Sequence, residues 1–248
     1  MAVYWIFLIA TWLVIALRIL AQRGAVGAPV LARLDLALWP LPMLLLGSHA
    51  ASCLMGLGEI SDLRAFFFTL DGWRAGHVSF GALAGALVGV ALAVWSHRLP
   101  IGATFDQLLP NLFVASAVMR LGCFATGCCF GAPTDLPWGI RFWIGHPLVE
   151  WTRPSHPVQL YESGASLLML IALLPYLRGR ARAYPAGAFA LSCIALFCAE
   201  RFVIEFFRVG GTTVAWWNGL SKPHLVMVAG LLAALCGLAG LRQRVNRS

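Results

Sequence analysis

The chain has 248 residues, of which 60% are hydrophobic and 11% charged, with a mean hydropathy of +0.81. A soluble domain averages about 25% charged residues, so the composition excludes an ordinary soluble globule and points to an integral membrane protein. The formal net charge of +8 is nearly all arginine, and no long basic run or aromatic-basic surface segment accompanies it, which excludes a nucleic-acid binder.

In chain order, the apolar stretches predict seven transmembrane helices in an all-α, polytopic fold. They fall at roughly 3–20, 36–57, 78–96, 106–124, 159–177, 186–207 and 223–241, each near the ~20 residues that cross ~30 Å of hydrocarbon. The first lacks a basic leading region and a small-residue cleavage site, so it reads as a retained helix rather than a signal peptide. The second is interrupted at its start by Pro40 and Pro42 and contains His49. The whole chain, 1–248, reads as a single membrane domain.

Orientation follows from the links. Arg18, Arg23 and Arg33 follow the first span, Arg98 the third, Arg178, Arg180 and Arg182 the fifth, and Arg242, Arg244 and Arg247 the last. The alternate links are balanced or acidic, with Glu59, Asp62 and Asp71 set against Arg64 and Arg74. The positive-inside rule then puts the N-terminus outside and the C-terminus inside.

With that topology the polar residues converge at one depth. Arg120 lies near the outer end of the fourth span, His156, Gln159, Tyr161 and Glu162 at the outer start of the fifth, and Arg201 and Glu205 in the outer part of the sixth. His77 and Ser79 open the third span on the same side. An ionisable group at a helix centre costs about 2.5–3.5 kcal/mol by insertion scales, and such residues mark functional sites. A lone arginine at a membrane interface is ordinarily an anchor that snorkels; four spans converging on one level are not. Arg201, Glu205 and Arg208 fall at i, i+4 and i+7 and share a helix face. An Arg–Glu pair of this kind is either a structural ion pair or an oriented anion site, because guanidinium matches phosphate oxygens in a bidentate way. Two arginines, Arg120 and Arg201, at outer-leaflet depth suggest a phospholipid headgroup.

The segment after the fourth span holds Cys123, Cys128 and Cys129 among Gly122, Gly127 and Gly131. A zinc site ordinarily has paired ligands two to four residues apart and a second pair elsewhere. The spacing here is a poor match, with His146 and His156 as the available partners. A disulfide from Cys123 to Cys128 or Cys129 is the other reading, since the segment faces outside. Cys53, Cys193, Cys198 and Cys236 sit in apolar spans and read as small buried hydrophobes.

Three motifs resemble the prolipoprotein diacylglyceryl transferase family. Arg120-Leu121-Gly122, Phe124, Gly127, Gly131 and Pro137-Trp138-Gly139 are similar to its signature. His156-Pro157-Val158-Gln159-Leu160-Tyr161-Glu162 matches its HPxQLYE element, and Arg201 through Arg208 its RxxxEFFR element. Asp106 and Pro110 fit the helix before the signature, and the likeness runs in order from about residue 70 to 210. It implies seven spans, an outer N-terminus, residence in the bacterial cytoplasmic (inner) membrane and a site toward the outer leaflet. It also implies a transferase that moves the diacylglyceryl group of phosphatidylglycerol to the cysteine thiol of an exported lipoprotein precursor. Partners would be that lipid, the precursor peptide and membrane lipid; no metal or organic cofactor is implied.

The resemblance makes Arg201, Glu205, Cys128, His156 and His77 the expected catalytic set. Arg120, Cys123, Gly131, Gln159 and Tyr161 are the expected substrate-binding set. Arg120 and Arg201 would neutralise the leaving phosphate, Glu205 would orient Arg201, and His156 and Tyr161 would support or relay protons.

The departures fall on the acid/base half. The family signature GRxGNFxNGExxG has Cys123 and Thr126 here in place of its two asparagines and Cys128 in place of its glutamate. The family's SFHGG element reads Ser79-Phe80-Gly81-Ala82, with His77 the nearest imidazole. Other readings are a phospholipid-dependent transferase with another acceptor, and a thiol-redox or metal-binding membrane protein on the same scaffold.

Overall fold

The computed structural model describes residues 2–21, 29–54, 79–146, 149–177, 184–208 and 220–246. Helices are α1 (Ala2–Ala21), α2 (Val30–Leu38), α3 (Pro40–Leu54), α4 (Ser79–Ser96), α5 (Ile101–Leu108), α6 (Pro110–Ala125), α7 (Val158–Leu177), α8 (Ala188–Glu205) and α9 (Lys222–Val245). Within the described residues, each predicted apolar stretch falls on one helix or on a helix pair broken at a proline; 55–57 and 78 lie outside them. The breaks are at Trp39–Pro40 and Leu109–Pro110, where the proline starts the next helix because it has no N–H to continue the previous one. Among the described residues, three helical runs are long and apolar enough to cross a membrane: Val30–Ala51, Ile101–Ala125 and Pro223–Val245.

Among the described residues the all-α expectation meets one exception. Strands β1 (Trp143–His146) and β2 (Val149–Trp151) form a short antiparallel hairpin, with Trp143 opposite Trp151 and His146 opposite Val149. It lies between α6 and α7, where the sequence reading has only a link. Runs of three and four residues are too short for an alternating pattern to register.

Within the chain two compact units are distinguished, Ile15–Thr104 and the remainder. The first is built on the α3–α4 pair. Gly47 of α3 meets Gly81 and Gly85 of α4, and Gly89 meets Trp39. A Cβ on Gly89 would sit 2.7 Å from the Trp39 carbonyl oxygen, and one on Gly85 would overlap the Met43 carbonyl. The backbones touch directly, which is how helices pack where lipid offers no hydrophobic drive. Asp35 and His97 close this unit at 2.7 Å.

The second unit carries α6, α7, α8 and α9. α7 is arranged inside out. Gln159, Glu162, Ser163 and Ser166, at helical spacing, are buried, whereas Leu168 and Ile171 are 68% and 59% exposed. A polar interior behind an apolar exterior suits a lipid surround, not water. The Ser163 hydroxyl donates to the Ala117 carbonyl of α6 at 3.1 Å. Asp106 of α5 starts α8: its carboxylate oxygens accept from the N–H groups of Gly187 and Ala190, each at 2.7 Å. Those donors have no partner within the helix, so the carboxylate satisfies them and complements the dipole.

Candidate active site

α6, α7 and α8 bring charged side chains to one buried point, Glu162. Arg120 from α6 and Arg201 from α8 both pair with its carboxylate, Arg120 on Oε2 and Arg201 on Oε1. Arg208, just past α8, donates to Glu162 Oε1 at 3.1 Å. Glu205 sits behind, 3.4 Å from Arg201 Nη2 and 3.7 Å from Arg208 Nε. Three guanidinium groups thus face two carboxylates, leaving one positive charge in excess among these five. Glu162, Arg201 and Glu205 are all buried. Charges in such a setting persist only when paired and hydrogen-bonded.

The expected ion pair of Arg201 with Glu205 is therefore the weaker of two, and Glu162 is the hub. Its sequence position placed it in the polar cluster without a role. The available clue was that HPxQLYE ends on an acidic residue at the depth of two arginines that need a counter-charge. Glu200 is a second carboxylate the sequence reading did not single out. It is buried one residue before Arg201, and its Oε1 accepts from Ser166 at 3.3 Å, while Ser166 also reaches Ser116 at 3.0 Å.

Beside the charges lies a chain of aromatic and polar groups. Trp138 Nε1 donates to Tyr161 Oη at 2.8 Å, and Tyr161 Oη lies 3.2 Å from His156 Nδ1. His156 also packs edge-on to Phe207, with ring centres 5.3 Å apart. Gly131 stands where three backbones meet: its N–H donates to the His156 carbonyl at 2.8 Å, and a Cβ would lie 2.8 Å from that of His156. Gln159 is fully buried and donates to the Cys128 carbonyl at 2.7 Å. Both residues, expected to bind substrate, thus hold the loop after α6 against the start of α7.

That loop gathers Cys123, Cys128 and Cys129. The cysteines described are free thiols, so of the readings the sequence leaves open for this segment the disulfide is not the one formed. Hydrogen bonds from Cys123 and Cys128, then the charges of Arg120 and Arg208, hold the Cys129 thiol below its ordinary range. A bond with Cys123 pulls the Cys128 thiol down, but its bond with Cys129 and its burial push it up on balance. His77, the expected fifth catalytic residue, lies outside the described residues.

Comparison with known proteins bears on this geometry. The profile of the family described as prolipoprotein diacylglyceryl transferase matches residues 2–240. A protein of Clostridium tetani named phosphatidylglycerol–prolipoprotein diacylglyceryl transferase is 31% identical over 133 residues, covering 54% of this chain and 52% of its own. One of the same name from Bordetella parapertussis is 33% identical over 168 residues, covering 64% and 61%. Another from Pseudomonas aeruginosa is 31% identical over 211 residues, covering 81% and 73%. The match spans about half to three fifths of the length of the first two relatives.

Proposed function

Because the chain belongs to the prolipoprotein diacylglyceryl transferase family, we propose that it transfers the diacylglyceryl group of phosphatidylglycerol to the cysteine thiol of a lipoprotein precursor. The observation that carries this reading is the convergence of Arg120, Arg201 and Arg208 on Glu162, with one positive charge in excess among these arginines, Glu162 and Glu205. Each guanidinium has five donors, and the carboxylates occupy only some of them. The rest suit the phosphate of an anionic lipid.

In the reaction the acceptor sulfur attacks the glyceryl carbon. A carbon–sulfur bond forms, the carbon–oxygen bond to phosphate breaks, and glycerol phosphate leaves with the electron pair. Negative charge grows on the leaving oxygen, and arginines already fixed by Glu162 and Glu205 stabilise it without reorganising. Glu205 and Glu162 orient; Arg120 and Arg201 bind. The acceptor thiol must lose its proton. His156, linked to Tyr161, is the group at hand to take and pass it.

The same reading takes 1–248 as one membrane domain of seven spans, N-terminus outside and C-terminus inside, in a bacterial cytoplasmic membrane with the site toward the outer leaflet. Its support is alternation along the chain. Arg18 and Arg98 follow the first and third spans and Arg242 and Arg244 the last, whereas Arg120 and Arg201 fall toward the ends of the fourth and sixth and Glu162 at the start of the fifth. The test is complementation of a bacterium depleted of its own transferase, with labelled phosphatidylglycerol followed into lipoprotein. Growth together with labelled lipoprotein is the expected result; a folded, membrane-inserted protein that transfers no label would overturn the proposal.

A further inference from the structure

Among the described residues, one group of three soft donors comes together: the Sγ atoms of Cys123, Cys128 and Cys129 all lie within 4.8 Å of one another. The C-x₄-C-C spacing does not produce this by itself. Cys123 is buried on the last turn of α6. The chain then passes through the left-handed region at Gly127, φ 67°, and again at Cys129, φ 62°. A non-glycine residue there is uncommon and strained. Between these two residues the Cys128 N–H closes on the Cys123 carbonyl at 3.1 Å. The buried Gln159 amide clamps the Cys128 carbonyl from α7 at 2.7 Å. The Thr126 hydroxyl, hydrogen-bonded to the Gly122 and Cys123 carbonyls, lies 3.3 Å from Cys128 Sγ. The loop is thus bent and pinned so that three thiols face each other.

We propose that this trio is a binding site for a soft monovalent metal ion, copper(I), held by three thiolates. No histidine, aspartate or glutamate among the described residues joins the group within the same distance. Structural zinc almost always takes four ligands, and a shell of three soft sulfur donors suits copper(I). Charge agrees. Three thiolates around a single positive ion leave two negative charges, and Arg120 and Arg208 both act on Cys129. Cys129 is exposed and Cys123 buried, so the ion enters from the Cys129 side. Binding is not a redox step: the ion arrives as copper(I), and the thiol protons still present leave to solvent. The site stands whether or not the chain transfers lipid.

The test is titration of the full chain, reduced and anaerobic in detergent, with copper(I) against a chromophoric copper(I) chelator, and with zinc in parallel. One copper per chain is expected, with three thiols lost to a thiol reagent and a sulfur-only shell in X-ray absorption. Cys128→Ser and Cys129→Ser should each weaken binding by more than roughly 100-fold, the upper end of what losing even a ligand-orienting neighbour costs. Cys236→Ser should change nothing. Should the serine variants misfold, the thiol count and the absorption shell of the unmodified protein decide alone. Copper held equally well by a folded Cys128→Ser/Cys129→Ser double variant, no competition with the chelator, nitrogen or oxygen in the shell, or zinc bound in preference to copper would each overturn the proposal.

Discussion

Arg201 reaches from α8 to Glu162 on α7, although Glu205 stands one turn along its own helix with its oxygen 3.4 Å from the guanidinium. The cross-helix pair therefore fixes Arg201 against a different element from the one that carries it. Arg120 does the same from α6. A single carboxylate ties three chain segments together at the site.

Glu162→Gln should consequently be the most damaging conservative change. It removes the negative charge but leaves Arg120, Arg201 and Arg208 packed together. Removing one partner of a buried pair costs about 3–5 kcal/mol. Thermal unfolding in detergent should show a clear loss of stability together with loss of lipid turnover. Glu205→Gln should be milder in both measurements, because Glu162 still holds Arg201. Reversed severity would remove Glu162 from the centre of the network.

Arg201→Ala should abolish turnover of labelled phosphatidylglycerol, and Arg201→Lys should restore part of it. A charge-assisted hydrogen bond is worth roughly 1.5–3 kcal/mol net, and lysine keeps the charge while losing the planar fork. Turnover by purified Arg201→Ala equal to that of the unmodified protein would refute the phosphate clamp.

Cys129 should be alkylated well below the pH at which thiols ordinarily react. Its pKa is lowered from 9.0, so thiolate persists as pH falls beneath that value, and reactivity declines only when pH passes through the lower folded value. Cys128 is raised and should react later, as pH climbs. Mass spectrometry of peptides after brief iodoacetamide treatment across pH 6–9 (about the range around an ordinary thiol pKa) reads both. Equal labelling of the two at every pH would contradict the asymmetry.

Alanine at two glycines should have opposite signs. Gly85→Ala puts a methyl group into the Met43 carbonyl and should force α3 and α4 apart. Gly240→Ala meets nothing within 4 Å and should stabilise α9 by about 0.5–1 kcal/mol, through backbone entropy alone. Unfolding midpoints in detergent distinguish them; a neutral Gly85→Ala would mean the seam is slack.

Much of the framework was legible because burying a helix in lipid demands long apolar runs, and such runs are hard to miss. The helix positions and the interruption at Pro40 belong to that class, whereas the break at Pro110 falls inside a stretch that reads as one span. Glu162 was visible as a polar residue but not as a hub, since which carboxylate an arginine chooses depends on helix rotation, and spacing along one helix favours the local partner. Gln159 and Gly131 carried a binding expectation, and that they also brace the backbone of a loop depends on contacts far apart in the chain. The meeting of three thiols depends on a left-handed residue at Cys129, which nothing in the spacing announces.

The cap on α8 also has a history in time. Asp106 and Gly187 are 81 residues apart in the chain. At about 5–20 residues per second of synthesis, the Asp106 carboxylate waits roughly 4–16 s for the donors that satisfy it. During that interval α5 cannot bury its end without stranding a charge. The step that seats α8, and with it Arg201, is therefore also the step that pairs the Asp106 carboxylate with its donors.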